Sequence, residues 1–371
     1  MQTEQLHWSE GKPETKANLE ADLVLAFGST QALADASAMD AIHAAYPTAH
    51  LLGSSTAGEI LDTAVTDGGL VTTAVRFDAT QLRVAEVEIK DCKDSAEAGA
   101  KLAAALQGPR LTHVFVLSDG QSVNGSDLAR GLQDGLGPKV AVTGGLAGDG
   151  ARFQHTFVLS DHGAQEGRIA AVGFYGEHLQ VGYGSLGGWD PFGPQRVVTK
   201  SKGNVLYELD GQPALALYKK YLGEHATGLP ATGLLFPLSV RQEGGHELVR
   251  TILAVNEADQ SLTFAGDLPE GSVARLMKAN FDRLVEGAHG AAQASLTKGP
   301  KPELAILVSC VGRKLVLKQR TEQELDAVRD VVGPQAALTG FYSYGEICPS
   351  APQANCELHN QTMTITTFRE A

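Results

Sequence analysis

Three acids follow a glycine in the same short setting, and their spacing makes them the first candidates for chemistry in this chain. Glu59 closes the run Leu51-Leu52-Gly53-Ser54-Ser55-Thr56-Ala57-Gly58-Glu59, and Glu346 closes Leu338-Thr339-Gly340-Phe341-Tyr342-Ser343-Tyr344-Gly345-Glu346. Asp149 closes a shorter copy, Val142-Thr143-Gly144-Gly145-Leu146-Ala147-Gly148-Asp149. If the three turns converge, Ser55, Glu59, Asp149 and Glu346 can line a pocket for an amine, a guanidinium or another hydrogen-bond donor. Alternatively, each acid binds the amide hydrogens of its own turn or caps the next element. In the last copy Tyr342 and Tyr344 stand where the first has Ser55 and Ala57, which supplies walls for an aromatic or planar ligand.

Each turn ends a similar module. Leu23–Gly28 precedes a helical stretch from about Leu33 to Tyr46, and His113–Gly120 precedes a helix over Gly125–Leu136 with Leu128, Leu132 and Leu136 on one stripe. Leu304–Cys310 precedes a helix over Thr321–Val332 with Leu325, Val328 and Val332 aligned. Continuous apolar strands joined through a helix predict parallel pairing with both faces covered. The carboxyl ends of such strands are where open α/β sheets place ligands.

Between the second and third modules the period shortens. Strand-like runs over Thr156–Leu159, Arg168–Phe174, Leu179–Gly184, Arg196–Lys200, Val249–Asn256 and Ser261–Gly266, separated by turn residues, predict an antiparallel region. Pro213 opens a helix, a longer helix spans Ala279–Leu296, and the two halves divide near residue 212, as 1–212 and 213–371. The expected fold class is α/β (α+β): two pseudo-repeated halves with mixed sheets and an antiparallel strand region.

Composition narrows the function. A net charge of -13 over 371 residues, with no Lys/Arg-rich run, argues against nucleic acid as a partner. The glycine loops lack a Walker lysine, Gly53–Gly58 is not a nucleophile elbow, and Ala147 stands where the dinucleotide fingerprint needs glycine. No His and carboxylate spacing matches a metal hydrolase. Ser118-Asp119-Gly120 and Arg313-Lys314 could serve an anion, but a strand-end turn accounts for the first and solvent exposure for the second. The reading is of a binding protein, not an enzyme. The first residues show no secretory signal, no apolar run is long enough to span a bilayer, and Cys92, Cys310, Cys348 and Cys356 have no paired spacing. These features predict a cytoplasmic protein with free thiols.

The phrase Gly53–Ile60, the run Val249-Arg250-Thr251-Ile252 leading to Phe264-Ala265-Gly266-Asp267, Met277–Asn280, Val308–Arg313, and Gly340–Glu346 followed by Glu357-Leu358-His359-Asn360-Gln361-Thr362 together resemble the FIST sensory family, from about Asp22 to Thr367. The resemblance implies a ligand-sensing signalling module. With no attached output segment, the chain is similar to the nitric-oxide-sensing FIST proteins (NosP), which implies bound haem and a partner histidine kinase.

Haem requires an axial ligand and an apolar pocket. His359, inside the matched segment, is one candidate ligand for the iron, and its alternative role is a polar network pinning the strand Thr362–Phe368. His246, in a loop after Gly244-Gly245, is another. Cys348, followed by Pro349, offers a thiolate or simply a small turn residue, while Tyr342 and Tyr344 could wall the macrocycle. The expected function is a haem-binding nitric oxide sensor acting on a histidine kinase; the alternative is a sensor of a small, amino-acid-like metabolite.

Overall fold

The computed structural model describes all residues of the 371-residue chain except Glu10, Glu243, Gly244, His246, Lys298 and Pro352, and the side chain of Ala231. The first module contains β1 (Gln2–Ser9), β2 (Leu23–Gly28), α1 (Ala36–Ala45), β3 (His50–Ser55), a hairpin of β4 (Glu59–Leu61) and β5 (Ala64–Thr66), and β6 (Leu70–Arg76). The second keeps this strand order and adds a helix after its first strand: β7 (Gln81–Glu88), α2 (Ser95–Leu106), β8 (Leu111–Ser118), α3 (Gly125–Leu136), β9 (Ala141–Leu146), the hairpin β10 (Val158–Ser160) and β11 (Gly163–Gln165), and β12 (Arg168–Tyr175). The third opens with β13 (Leu179–Leu186) and resumes, after an inserted lobe containing α4 (Ala214–Leu222), at α5 (Phe281–Ser295). It continues through β14 (Leu304–Cys310), α6 (Thr321–Val332), β15 (Ala337–Ser343), the hairpin β16 (Gly345–Pro349) and β17 (Cys356–His359), and β18 (Met363–Glu370).

Parallel pairing, expected from the apolar runs, joins β2 to β3, β8 to β9 and β14 to β15. The hairpins do something the sequence did not suggest: each leaves its own module and completes the sheet of another. The sheets run β11-β10-β3-β2-β6-β1, β17-β16-β9-β8-β12-β7 and β5-β4-β15-β14-β18-β13. The first module therefore gives its hairpin to the third, the second to the first, and the third to the second. Three sheets of one strand order, closed by a cyclic exchange, give the molecule a pseudo-threefold axis.

Alternation along the central strands assigns their two faces. Leu23, Leu25 and Phe27, then Phe115 and Leu117, then Leu304, Ile306 and Val308 meet in one buried axial core with Phe174, Phe341 and Phe368. Phe27 stacks on Phe341 with ring centroids 4.8 Å apart. His113 takes the register position of Leu23 and Leu304, and its Nε2 lies 2.9 Å from Thr143 Oγ1. Burial pushes its pKa down to about 3, so the imidazole stays neutral. The intervening residues face the helices; on α3, Leu128, Leu132 and Leu136 are all buried, as their spacing predicts.

The N-terminal ammonium lies 2.7 Å from Asp78 and 3.7 Å from Glu370, which places the first and last strands together at the end of the axis where β2, β8 and β14 begin. The region from Trp189 to Ala279 forms the inserted lobe, whose strands pair antiparallel as expected and whose own core includes Leu206, Leu215, Tyr218, Leu262 and Phe264. Residue 212 falls inside this lobe, and strands cross between the halves on either side of it.

One charge departs from expectation. Arg313, read as solvent-exposed, is fully buried and pairs at 2.8 Å with the equally buried Glu324 of α6. Its other donors reach the carbonyls of Gly187 and Leu284, while Ser309 and Tyr342 hydroxyls donate to the same carboxylate. These hydrogen bonds compensate the desolvation that an isolated buried pair would suffer.

Candidate functional site

The three glycine turns gather at one end of the axis, where the parallel strands terminate. Gly53, Gly144 and Gly340 face Ala26, Val116 and Leu307 on the neighbouring central strand, and Leu159, Ile347 and Ile60 on the incoming hairpin. A β-carbon at these positions would lie 2.0, 1.8 and 1.8 Å from the carbonyl oxygen of Ala26, Val116 and Leu307 respectively. Glycine is therefore required by the close approach of backbone to backbone. Beyond it the turns interlock: Ala57 N donates to Tyr342 O at 2.8 Å, Tyr344 N to Leu146 O at 3.1 Å, and Gly148 N to Ser55 O at 2.9 Å. In each bond the residue four after the glycine donates to the residue two after the glycine of another turn.

Inside this ring the acids serve their own turns. Glu59 accepts from the Thr56 hydroxyl at 2.7 Å and from Gly69 N at 3.2 Å. Glu346 repeats the arrangement with Ser343 at 2.8 Å and Thr362 N at 3.1 Å, so each ties a turn to the start of its return strand. In the second module Asp119, at the end of β8, takes that role through Gly167 N at 3.2 Å. Asp149 is released to accept from the amides of Phe153, Gln154 and His155 and from the Tyr344 hydroxyl. Ser55 Oγ accepts from Phe157 N at 2.9 Å. The turns converge, but Glu59, Asp149 and Glu346 do not meet in one pocket.

Burial dominates the ionisation of Glu346 and pushes its pKa up to about 8, with hydrogen bonds from Ser343 and Thr362 opposing. Since its folded pKa exceeds the unfolded value, the folded state binds the additional proton between roughly pH 4.5 and 8, and the stabilising contribution is lost as pH rises through that window. Glu346→Gln is therefore expected to flatten the pH dependence of the denaturation midpoint between about pH 5 and 8; an unchanged slope would show that another group sets it. For Asp149 burial acts upward, but Tyr344 and the three amides outweigh it and hold the carboxyl below its ordinary range.

Above the ring, the inserted lobe leaves a cleft of about 430 Å³ against the ends of β8 and β9. Tyr344 and Phe153 stack on its floor with centroids 4.4 Å apart and ring planes at 15°. Ser122 and Asn124, before α3, line one side, and Asn204 and Phe264 of the lobe line the other. A second cleft beneath the lobe, about 420 Å³, is lined by Trp189, Met277, Leu248 and His359.

The residues considered for haem are dispersed. His359 reaches the second cleft but donates from Nε2 to the Cys348 carbonyl at 2.9 Å, pinning the β16/β17 hairpin. Cys348 is wholly buried, and burial drives its thiol far above the ordinary range, so it donates to Pro349 O rather than offering a thiolate. Tyr342 is sealed against Glu324, whereas Tyr344 is in the first cleft. His246 lies outside the described residues. Among the described residues no cluster of three or more His, Cys, Asp or Glu side chains is arranged to hold a metal ion. The second cleft has an apolar wall in Trp189, Met277 and Leu248, and its His359 is already engaged through Nε2 with the Cys348 carbonyl.

Comparison with known proteins matches residues 22–212 to the FIST N domain and residues 214–349 to the FIST C domain. The chain belongs to the FIST family. FIST domains form a signal-sensing family, and the mixed α/β architecture accords with that membership. The chain is 27% identical over 202 residues, half its length, to an uncharacterized protein of Methanocaldococcus jannaschii, of which it covers 38%. It is 23% identical over 240 residues, 62% of its length, to an uncharacterized protein of Mycobacterium tuberculosis, of which it covers 61%. The chain thus spans less than two thirds of either relative. Among solved structures, cyanuric acid hydrolase from A. caulinodans aligns over 100% of this chain and 98% of its own, at 9% identity and a TM-score of 0.35. Among the described residues, no helix is long and apolar enough to cross a membrane.

Sequence reasoning named Tyr344 but missed Phe153, Asn124 and Asn204. Phe153 sits in an irregular loop with φ +54, a conformation that carries no apolar period to read.

Proposed function

We propose that this FIST protein is a non-catalytic sensor whose small metabolite ligand sits against Tyr344 and Phe153 beneath the lobe. The supporting observation is the exposed edge of a parallel aromatic pair at the carboxyl ends of β8 and β9, with the α3 amino end beside it and a separately cored lobe above it. A ligand touching both body and lobe favours one arrangement of the two, and that difference in affinity is what a signalling partner reads. Phe153 makes no side-chain hydrogen bond, so Phe153→Ala removes only the stack. It is expected to weaken metabolite binding about tenfold, on the scale of one aromatic pair, with the cooperative melting transition retained. Calorimetry against a metabolite panel provides the measurement, and unaltered affinity in the variant would reject this site.

A second reading is favoured by His359 beside Trp189 and Met277: haem bound in that cleft, as part of a nitric oxide sensor acting on a histidine kinase. His359 would hold the iron, which would supply a coordination position for a diatomic gas. Absorption spectra of protein expressed with haem supply test this reading. A Soret band that shifts with nitric oxide and is lost in His359→Ala supports it; no band rejects it.

A further inference from the structure

The cleft at the ends of β8 and β9 has no charged side chain on its wall, in a chain with 20% charged residues and a net charge of -13. Its polar side chains are Gln121, Ser122, Asn124 and Asn204; the rest of the lining is apolar, aromatic or glycine. The charges behind this wall are engaged. Asp119 accepts from Gln121 N at 2.9 Å and from Ser122 Oγ at 2.6 Å, Asp267 from Asn124 Nδ2 at 3.4 Å, and Asp149 from the amides of Phe153, Gln154 and His155. Arg250 is directed to the carbonyls of Asp267 and Leu358. A charged ligand would give up its water here and find no counter-ion on the wall.

The two sides of the cleft share another property. Of the five exposed large apolar side chains among the described residues, two line it: Phe153, 36% exposed, from the body and Leu253, 41% exposed, from the lobe. Tyr344 is only 7% exposed, and its hydroxyl is held by Asp149 and the Gly150 carbonyl, so Phe153 is the open ring of the stack. Apolar groups left open on both sides fit a flat ligand with two hydrophobic faces.

The edge of such a ligand meets unpaired polar groups. Val123 and Gly266 are buried residues of the lining, and among the described residues their backbone N–H groups have no hydrogen-bond partner. Orphaned N–H groups on buried residues are rare. Asn204 Nδ2 donates to Phe264 O at 2.8 Å, which leaves Oδ1 as an open acceptor, while Gln121 is engaged only through its main chain. Two donors, one acceptor and one amide around an apolar slot are complementary to a flat, uncharged ring bearing carbonyl and N–H groups, and the cleft volume of about 430 Å³ falls within the range of small-molecule sites.

We propose that the ligand of this cleft is a pyrimidine or purine base, free or as its nucleoside, with its ring between Phe153 and Leu253 and its polar edge on Val123 N, Gly266 N and Asn204 Oδ1. The inference rests on the Tyr344 cleft being the ligand site and adds the class of molecule. Because Phe153 belongs to the body and Leu253 and Asn204 to the lobe, the bound base favours the arrangement that brings the two together.

The test is calorimetry of the full chain against adenine, hypoxanthine, uracil, thymine and cytosine, their nucleosides, the nucleoside 5′-monophosphates, and orotate as a carboxylated uracil. The expected result is at least one base or nucleoside with Kd below about 1 mM, and its charged analogue at least tenfold weaker. Phe153→Ala and Leu253→Ala change exposed side chains on opposite sides of the cleft, and each is expected to weaken that binding at least threefold with cooperative melting retained. No binding by any base or nucleoside, equal affinity for the charged analogue, or affinity unchanged in either variant overturns the proposal. The two readings fail differently. A charged metabolite whose binding is lost in Phe153→Ala would keep the Tyr344 cleft as the ligand site and remove only the ligand class, whereas a base whose affinity ignores Phe153→Ala would remove the site itself.

Discussion

A fragment of residues 1–212 expressed alone is expected to show no cooperative thermal transition, although it contains every residue matched to the FIST N domain. The fragment retains two sheets' central strands but loses the β16/β17 hairpin that pairs with β9. Its own β4/β5 hairpin loses β15, and β13 loses β18. The axial core loses Leu304, Ile306, Val308, Phe341 and Phe368 at once, each worth on the order of 2 kcal/mol when buried, against a typical domain stability of about 5–15 kcal/mol. Exposed strand edges should then drive association. Co-expression with residues 213–371 is expected to restore a soluble complex. Circular dichroism melts of fragment and complex provide the check, and a sharp transition in the fragment would show that the exchanged hairpins contribute little.

The second large effect is expected at the ring. Gly340 has φ +151, and a β-carbon there would lie 1.8 Å from the Leu307 carbonyl oxygen. That oxygen belongs to the parallel ladder, so relief requires β14 and β15 to separate and the interlocked turns to shift with them. Gly340→Ala is expected to destabilise by more than about 4 kcal/mol, in the range reserved for failures of backbone packing. Gly137, at φ +78 and ψ 172 with open space beside it, supplies the control, where only conformational strain of about 1–3 kcal/mol applies. Urea denaturation of the two variants separates clash from strain. Similar midpoints would mean that the strands yield, and the ring would lose its standing as the rigid element beneath the clefts.

The contrast between these glycines also explains which features could be read from the chain. A close backbone approach excludes every side chain, so the requirement is written directly into the sequence three times, and the parallel strands beside it follow from continuous apolar runs. The exchanged hairpins were hidden because β4 and β15 pair across nearly the whole chain with alternation too short to specify a partner. Arg313 was misread because Glu324, which neutralises it, lies on another helix. Tyr342 and Tyr344 were treated as a pair, yet β15 ends at Ser343. Past that point the alternation of faces lapses; Tyr342 turns to Glu324 while Tyr344 reaches Asp149 and the cleft.

The adjacency of Met1 and Glu370 has a topological consequence. Both ends of the chain emerge from the pole where the central strands begin, while the clefts open at the opposite pole, six to eight strand residues and roughly 20–25 Å away. A chain joined end to end and opened at the lobe's Asn256–Asp259 turn would keep every exchanged hairpin, making the protein a natural subject for circular permutation. A reporter fused at either terminus would sit at the far end of the axial core from the ligand, and any movement it registers must have crossed the full height of that core.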